Sequence, residues 1–224
     1  MVFDADETLV DLRPAVRRAL LVVLAEMRRL APAARELTLA DLQADAAAAF
    51  DRLPAEPVEV ARRQALAWSL GRVGLADETD RIAEIFFANR FAATRLYDGV
   101  PRLLARLRRS YVVGLGSNGN NHAGRVGLAG QFAFEVYAHV DGVPSKPAAG
   151  FFETVLAAAG RRAQPGSVVH VGNHWDHDVA GAAALGLRTV WLNRAGEPCP
   201  GGADGLPDAE IRSLAELPAV LSRL

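Results

Sequence analysis

The sequence of 224 residues is poor in cysteine and contains no long apolar run. Its single cysteine, Cys199, excludes an internal disulfide framework and a cysteine-rich zinc site. No apolar stretch approaches the roughly 18 residues of a membrane-spanning helix. The sequence near Met1 does not show the charged segment followed by an apolar one that is typical of a secretion signal, so we expect none there. We therefore expect a cytoplasmic protein that makes no contact with a membrane.

Charge of either sign is also not in excess, because 25 basic residues face 26 acidic ones and the net charge is −1. This balance argues against a protein that binds nucleic acid through bulk electrostatics. Lysine is almost absent, since Lys146 is the only one and the other basic residues are arginines. An ammonium and a guanidinium are not interchangeable at a tight anion site. The lone lysine is therefore a candidate functional residue. Composition makes no prediction of the oligomeric state.

Helical patterns fill residues 13–95 of the chain. Apolar residues recur at spacings of three and four over 16–27, which predicts an amphipathic helix. Thr38 is the predicted N-cap of a second helix, and two more are predicted, one ending near Leu70 and one starting near Asp77. Three arginines of this block are interpreted as parts of solvated helix faces, with contact to a substrate phosphate or carboxylate as the alternative: Arg17, Arg62 and Arg63. The block is predicted to be an all-α domain.

Apolar strands and helices alternate in the rest of the chain, residues 1–12 and 96–224. Strands are predicted over residues 1–3, 111–115, 132–137, 167–171 and 188–192. Helices are predicted over residues 100–109, 150–159, 178–185 and 214–221, with a Gly/Pro-rich loop over 195–207. Buried strands separated by helices are typical of a parallel sheet covered on both faces. The sequence thus predicts an α/β, Rossmann-like core that is discontinuous and carries the helical block as an insertion.

Two carboxylates, Asp4 and Asp6, directly follow the first predicted strand. Alternate side chains of an extended segment lie on the same side, so the two groups can converge at the carboxyl edge of the sheet. Neighbouring carboxylates repel each other unless a cation or a shared proton compensates. Mg²⁺, which prefers oxygen ligands, fits that need. A solvated turn is the alternative interpretation, but the strand and the nearby Thr8 favour a site with a nucleophile and an acid/base.

Further polar residues follow the other predicted strands. Ser117 offers a hydroxyl and the backbone N–H groups after it, which suit an anion. Lys146 lies in a loop before a helix, and the segment after Gly172 offers an amide oxygen from Asn173 and carboxylates. Each signal alone is weak, because such residues are also common in ordinary turns. Together they gather where open α/β sheets place their sites.

Three histidines near the fourth predicted strand suggest a zinc site: His170, His174 and His177. Their spacing is loose, and His170 falls inside the strand. We interpret them as ordinary structural or loop histidines.

The ordered set Asp4-x-Asp6-x-Thr8, Ser117, Lys146 and Asp178 resembles the haloacid dehalogenase superfamily, whose members are mostly phosphatases. The likeness covers nearly the whole chain, with the helical block over 13–95 in the place of a cap. The first motif, Phe-Asp-Ala-Asp-Glu-Thr-Leu, looks like that of the nucleotidase-type branch.

The resemblance implies catalytic roles for five residues. Asp4 would attack phosphorus and form an aspartyl-phosphate. Asp6 would protonate the leaving alcohol and then activate water, and Thr8 would orient this acid/base. Ser117 would bind the transferring phosphoryl group, and Lys146 would neutralise the charges of nucleophile and phosphate.

The resemblance also implies the binding groups. The phosphate would be bound by Ser117, Asn118 and Lys146, and Mg²⁺ by Asp4, the backbone carbonyl of Asp6, Asn173 and Asp178. Two positions depart from the family pattern. Asn173 stands where an aspartate is common, so either metal binding is weaker or Asp176 or Asp178 contributes more. Glu7 stands where glycine is commoner after the acid/base.

The expected function is a Mg²⁺-dependent phosphomonoesterase acting on a small phosphorylated metabolite, such as a nucleotide or a sugar phosphate. One alternative is a 2-haloacid dehalogenase, a metal-independent enzyme that attacks carbon. Asp6 argues against it, because such dehalogenases commonly have an aromatic residue at that position. A second alternative is a non-catalytic protein that binds a phosphate ligand, for which Asn173 is the only motive.

Overall fold

The computed structural model describes residues 1–160, 164–200 and 207–224 and divides the chain into two units. The larger unit comprises Met1–Val10 and Leu96–Leu224, and the smaller one comprises Asp11–Arg95. Part of the predicted loop over 195–207 lies outside the described residues. None of the helices that the structure describes is long and apolar enough to cross a membrane.

A parallel sheet forms the centre of the larger unit. The strands in chain order are β1 Val2–Phe3, β2 Val10–Asp11, β3 Arg95–Leu96, β4 Gly114–Ser117, β5 Phe134–Tyr137, β6 Val169–Gly172, β7 Arg188–Leu192 and β8 Ala209–Ile211. Within the described residues, six of them form one sheet in the order β5-β4-β1-β6-β7-β8, and every pairing in it is parallel. Strands β2 and β3 pair separately. The sheet confirms the predicted α/β class.

Strand β1 has only two residues but occupies the middle of the sheet. Val2 and Phe3 are fully buried, and they pair with β4 on one side and β6 on the other. Strands with neighbours on both edges and helices over the faces contain apolar residues throughout. The Asp4 N–H continues the ladder to the Val171 carbonyl at 2.9 Å. The first polar side chain after the strand is thereby fixed at the carboxyl edge of the sheet.

Helices connect the strands of this unit. They are α5 Val100–Leu107, α6 Ala149–Ala158, α7 Gly181–Ala183 and α8 Leu217–Leu221. The helix predicted over 178–185 is only partly correct, because a π-helical turn, Trp175–Ala180, precedes the short α7. π-Helical turns are rare in proteins, and those that occur are often found at functional sites. This one carries Asp178 into the interior, where it is almost fully buried.

The strand predicted over 111–115 is displaced from the observed β4. Tyr111 and Val112 are 43% and 54% exposed, so the aromatic and branched residues that favoured a strand lie outside it. The strand begins at Gly114, against which the ring of Phe134 packs so closely that a Cβ atom would collide with it. Glycine has a low strand propensity, so the start of β4 at Gly114 reflects tertiary packing against Phe134 and not a local preference. Strand β8 was not predicted from the sequence.

Four helices form the smaller unit: α1 Leu12–Leu30, α2 Leu39–Arg52, α3 Val58–Gly71 and α4 Thr79–Ala93. Their buried apolar faces pack into one core that includes Leu24, Met27 and Phe86. The interpretation of Arg62 as part of a solvated face is wrong. Its guanidinium lies 4.9 Å from the ring centroid of Phe86, and burial with a neighbouring Arg90 lowers its pKa to about 10.

Helix α2 begins with the predicted cap. The Thr38 hydroxyl accepts the N–H of Asp41 at 3.2 Å, and the Asp41 carboxylate accepts the N–H of Thr38 at 2.7 Å. Thr38→Ala removes the acceptor of the Asp41 N–H and should lower the free energy of unfolding by about 1 kcal/mol. Urea denaturation followed by circular dichroism measures this loss. Thr154→Ala is the control, because its hydroxyl donates to the Gly150 carbonyl within α6 and caps nothing. Equal losses in both variants would contradict the capping role.

Candidate active site

The loop that follows β1 presents the first two carboxylates. The Ala5 carbonyl accepts the N–H groups of Thr8, Leu9 and Val10 at 3.3, 2.9 and 2.9 Å, so the chain turns sharply after Asp4. Glu7 adopts a left-handed backbone with φ of 59°. This conformation costs a non-glycine residue about 1 kcal/mol. It gives a physical reason why glycine suits this position.

Lys146 lies at the centre of the site with only 3% of its surface exposed. Its ammonium donates to three oxygens: Asp4 Oδ1 at 2.7 Å, Asp178 Oδ1 at 2.6 Å and the Gly116 carbonyl at 3.1 Å. An ammonium has three donors, and all of them are used here. The structure thus brings the predicted lysine together with the predicted nucleophile and the fourth-motif aspartate.

The three charges shift one another's pKa values. Burial raises the pKa of Asp4 to about 7, with Asp178 and Asp6 adding to the rise and Lys146 opposing it. Burial alone would lower the pKa of Lys146, but Asp178 and Asp4 raise it to about 12. Burial also opposes ionisation of Asp178, yet Lys146 and His170 hold its pKa well below the usual range. The Lys146–Asp178 pair is therefore a fixed ion pair.

Asp6 is held by the loop that follows β4. Its Oδ1 accepts the Asn121 amide at 2.5 Å, and its Oδ2 packs onto Gly119, where a Cβ atom would collide with it. The Gly119 N–H in turn donates to Ser117 Oγ at 3.0 Å. Sequence reasoning missed Asn121, although it lies in the polar run that continues past Ser117. The loop after β4 therefore contacts Asp6 through Asn121 and Gly119, and Gly119 also contacts Ser117.

The Asn118 side chain contacts the backbone of Lys146, and its predicted part in phosphate binding stays a prediction. Its Nδ2 donates to the Lys146 carbonyl at 2.9 Å, and its Oδ1 accepts the Lys146 N–H at 2.7 Å. Both halves of the amide are thereby engaged with the backbone of the lysine. The structure makes Asn118 a positioning residue for Lys146.

Thr8 and Asn173 form a contact that differs from the predicted one. The Thr8 hydroxyl donates to Asn173 Oδ1 at 3.0 Å, so it orients this amide rather than the Asp6 carboxylate. The Asn173 carbonyl accepts the indole N–H of Trp191 at 3.0 Å. Side chain and backbone of Asn173 are thus both fixed at the carboxyl end of β6.

The Asp178 carboxylate contacts several protein groups, and its predicted part as a metal ligand stays a prediction. Its Oδ1 accepts the ammonium of Lys146 and lies 3.0 Å from His170 Nε2, and its Oδ2 accepts the His174 N–H at 2.9 Å. A Cβ atom at Gly172 would collide with this carboxylate. Both oxygens of Asp178 thus accept or contact protein groups, and Oδ1 binds the Lys146 ammonium.

The remaining predicted metal ligands fit a hard cation. Phe3 pairs with Val171, so Asp4 stands beside Gly172 and one residue from Asn173. The structure gives Asp4 Oδ2 no hydrogen bond from any described residue. Together with the Asp6 backbone carbonyl, Asp4 and Asn173 offer the oxygen donors that Mg²⁺ prefers.

That donor set contains one side-chain carboxylate, and a contribution of Asp176 stays a prediction. Asp176 is exposed on the π-helical turn, whereas the Asn173 amide is held by Thr8. Among the described residues, no three histidine, cysteine or acidic side chains are grouped to hold a metal ion. His174 and His177 stack on each other with centroids 4.0 Å apart, while His170 lies buried in β6.

Comparison with known proteins identifies the family. Residues 1–186 match the family model of the haloacid dehalogenase-like hydrolases. The chain belongs to this family. The resemblance inferred from the four motifs is thereby confirmed, and the protein is a hydrolase.

Similar proteins include phosphatases and a dehalogenase. The chain is 29% identical to the 5-amino-6-(5-phospho-D-ribitylamino)uracil phosphatase YigB of Escherichia coli over 99% of its length and 95% of that protein. It is 28% identical to mouse N-acylneuraminate-9-phosphatase over 67% of its length and 63% of that protein. The phosphatase relatives support a phosphatase.

Solved structures of similar fold cover almost the whole chain. A crystal structure of a 2-haloacid dehalogenase from Pseudomonas syringae has a TM-score of 0.79 and 31% identity, and the match covers 99% of this chain and 97% of that one. The hydrolase YfnB from Bacillus subtilis, solved with bound magnesium, has a TM-score of 0.80 and 20% identity over the same shares of the two chains. The second likeness is one of fold.

The close packing of Asp6 on Gly119 generates a testable prediction. Gly119→Ala adds a methyl group where the carboxylate lies, and displacing a catalytic group by about 1 Å can reduce kcat roughly 10- to 100-fold. Hydrolysis of p-nitrophenyl phosphate measures the effect. Gly124→Ala is the matched control, because no atom lies within 4 Å of its added Cβ. Equal activity of the two variants would show that the position of Asp6 does not limit turnover.

Proposed function

We propose that this chain is a Mg²⁺-dependent phosphomonoesterase that works through an aspartyl-phosphate on Asp4. The contact that carries the proposal is that of the Lys146 ammonium with Asp4 Oδ1, while Oδ2 accepts no hydrogen bond from the described part of the chain. The Lys146 ammonium thus compensates the negative charge of the nucleophile and of an incoming phosphoryl group, while Asp4 Oδ2 stays available for attack on phosphorus. Phosphoryl transfer depends mainly on such positioning and charge compensation.

In the first step, Asp4 Oδ2 forms a bond to phosphorus while the bond from phosphorus to the leaving alcohol breaks. The alcohol oxygen takes a proton from Asp6, whose carboxyl is held by Asn121 and Gly119. The Ser117 hydroxyl and the N–H groups after it suit the transferring oxygens. Lys146 stays protonated, since its pKa is about 12.

In the second step, Asp6 accepts a proton from water, and the water oxygen attacks phosphorus. The bond to Asp4 breaks, which releases inorganic phosphate and restores the free carboxylate. Asp4, the Asp6 backbone carbonyl and Asn173 would hold the Mg²⁺, which would supply further compensation of phosphoryl charge.

The names of two relatives support a substrate class. One is a 5-amino-6-(5-phospho-D-ribitylamino)uracil phosphatase, and the other is an N-acylneuraminate-9-phosphatase. We therefore propose a small phosphorylated metabolite with a polyhydroxylated body as the substrate. We also propose that the unit Asp11–Arg95 acts as a cap that selects this substrate.

A 2-haloacid dehalogenase is the second candidate, favoured by the 31% identical structure of that name. Displacement of halide from carbon needs a nucleophilic carboxylate, but the leaving halide needs no proton. Asp6 would then have no part in the reaction, and its charge would repel the carboxylate of a 2-haloacid. Because Asn121 and Gly119 hold the Asp6 carboxylate in place, its position favours phosphomonoester hydrolysis, which uses an acid/base, over dehalogenation.

Two assays run side by side test the proposal. Hydrolysis of p-nitrophenyl phosphate should require Mg²⁺ and stop on addition of EDTA, whereas chloride release from 2-chloropropionate should not be detectable. Asp4→Asn should abolish hydrolysis, because the amide is not a nucleophile at phosphorus. Metal-independent chloride release without phosphatase activity would establish the dehalogenase instead. Phosphate binding without either activity would indicate a non-catalytic protein.

The triple contact of Lys146 gives a second prediction. Lys146→Arg keeps the charge, but a planar guanidinium does not place one nitrogen between three converging oxygens. We expect kcat for p-nitrophenyl phosphate to fall about 100-fold or more, as after loss of a charge-stabilising donor. Circular dichroism checks that the fold is kept. Arg109→Lys, the reverse exchange at an exposed position, should have normal activity. Normal turnover of Lys146→Arg would refute the role of the ammonium.

A further inference from the structure

A cavity of the larger unit is lined by none of the residues assigned to the candidate active site. It has a volume of about 510 Å³ and lies between α5 and the segment that leads into α8. Its lining includes Tyr97, Arg102, Leu103, Arg106, Arg194 and Leu214. Neither Asp4 nor Lys146 lines it. The volume is in the range of small-molecule sites, which is about 300–1,000 Å³.

The cavity is strongly positive although the protein is almost neutral. Arg102, Arg106 and Arg194 line it, and Asp98 is the one acidic residue in the lining that the structure describes. Arg102 and Arg106 lie one turn apart on α5, and no carboxylate among the described residues forms an ion pair with either. Converging cations with uncompensated charge raise the local concentration of anions.

Arg194 is already held in place for a ligand. Its guanidinium stacks over the Tyr97 ring at 3.8 Å from the centroid, and its Nη2 donates to the Thr8 carbonyl at 2.9 Å. Fixing the side chain in advance reduces the entropy that a ligand must overcome. A guanidinium with five donors keeps further N–H groups available after one is used.

Most of the remaining lining is apolar. It comprises Leu103, Leu214, Ala215, Pro218 and the ring of Tyr97, together with Asp98, Gly99 and Ser213. Such a surface suits a hydrocarbon or aromatic body, while the arginines suit a carboxylate, sulfonate or phosphate. The two parts together specify an amphipathic organic anion rather than a free inorganic ion.

Two contacts join this cavity to the loop that carries the catalytic carboxylates. Arg194 binds the Thr8 carbonyl, and the Thr8 hydroxyl binds Asn173. The Tyr97 hydroxyl donates to Glu7 Oε2 at 3.1 Å. A ligand that changes the position of Arg194 or Tyr97 therefore acts on the loop between Asp4 and Val10.

We propose that this cavity is an effector site that binds a small amphipathic organic anion through Arg102, Arg106 and Arg194. The bound anion alters the catalytic loop through the contact of Arg194 with Thr8. The site is separate from the one that hydrolyses the phosphate ester.

The probe for a binding test is 1-anilinonaphthalene-8-sulfonate, which has an aromatic body, one anionic group and no phosphoester. Its fluorescence gives the dissociation constant, and amide shifts of ¹⁵N-labelled protein at Leu103 and Ala215 locate it. The double variant Arg102→Ser/Arg106→Ser should weaken binding about tenfold or more, since bonds to charged groups are the stronger ones. Arg108→Ser/Arg109→Ser is the control with the same change of charge just beyond α5. Asp4→Asn should bind the probe as the unchanged protein does.

The outcomes separate the two parts of the proposal. Equal weakening in both double variants, or shifts confined to other residues, would overturn the site. Binding that is lost only in the cavity variant supports it, whether or not the protein hydrolyses phosphate esters. A change of at least about twofold in KM or kcat for p-nitrophenyl phosphate at saturating probe, absent in the cavity variant, supports the coupling. Unchanged kinetics at saturating probe would overturn the coupling.

Discussion

The buried ammonium of Lys146 sets the constraint on which the site depends. A charge that leaves water is tolerated only when its hydrogen bonds and countercharges are complete. Here the countercharges come from Asp4 after β1 and Asp178 in the π-helical turn, and a third acceptor comes from Gly116 in β4. Three separate segments must therefore be in register before the lysine is stable. Asn118 enforces this further, because it binds the lysine's backbone from the end of β4.

Close approach of backbone to carboxylate is the second constraint, and it explains the glycines around the site. A Cβ atom at Gly119 would occupy the place of the Asp6 carboxylate, and one at Gly172 that of Asp178. Both glycines lie at or just beyond the carboxyl end of a strand, where side chains from neighbouring strands converge. The Asp6 and Asp178 carboxylates thus pack against glycine main chain, which fixes their position and adds no charge to the site.

Local patterns predicted the parts of this arrangement that depend on sequence neighbours. The apolar run before Asp4, the cap at Thr38 and the strand Arg188–Leu192 are all local signals, and the structure contains them. Local patterns do not predict the contacts of Asn118, Thr8 and Asp178, because their hydrogen-bond partners lie 28, 165 and 32 residues away along the chain. The start of β4 was displaced for the same reason, since the ring of Phe134 and not strand propensity selects Gly114. Partner choice over such separations is a property of the fold, and a single sequence does not contain it in local form.

Asn173 then acquires a definite electrostatic meaning. The buried set of Asp4, Asp178 and Lys146 carries one net negative charge when Asp4 is ionised. An aspartate at position 173 would add a second, which would strengthen attraction for a divalent cation but increase repulsion of a phosphate dianion. An amide keeps the oxygen, which Thr8 holds in place, and removes the charge. In the proposed reaction, asparagine at this position therefore shifts the balance of the site from affinity for metal toward affinity for the phosphoryl group, and the Lys146 ammonium would supply a larger share of the positive charge that this group meets.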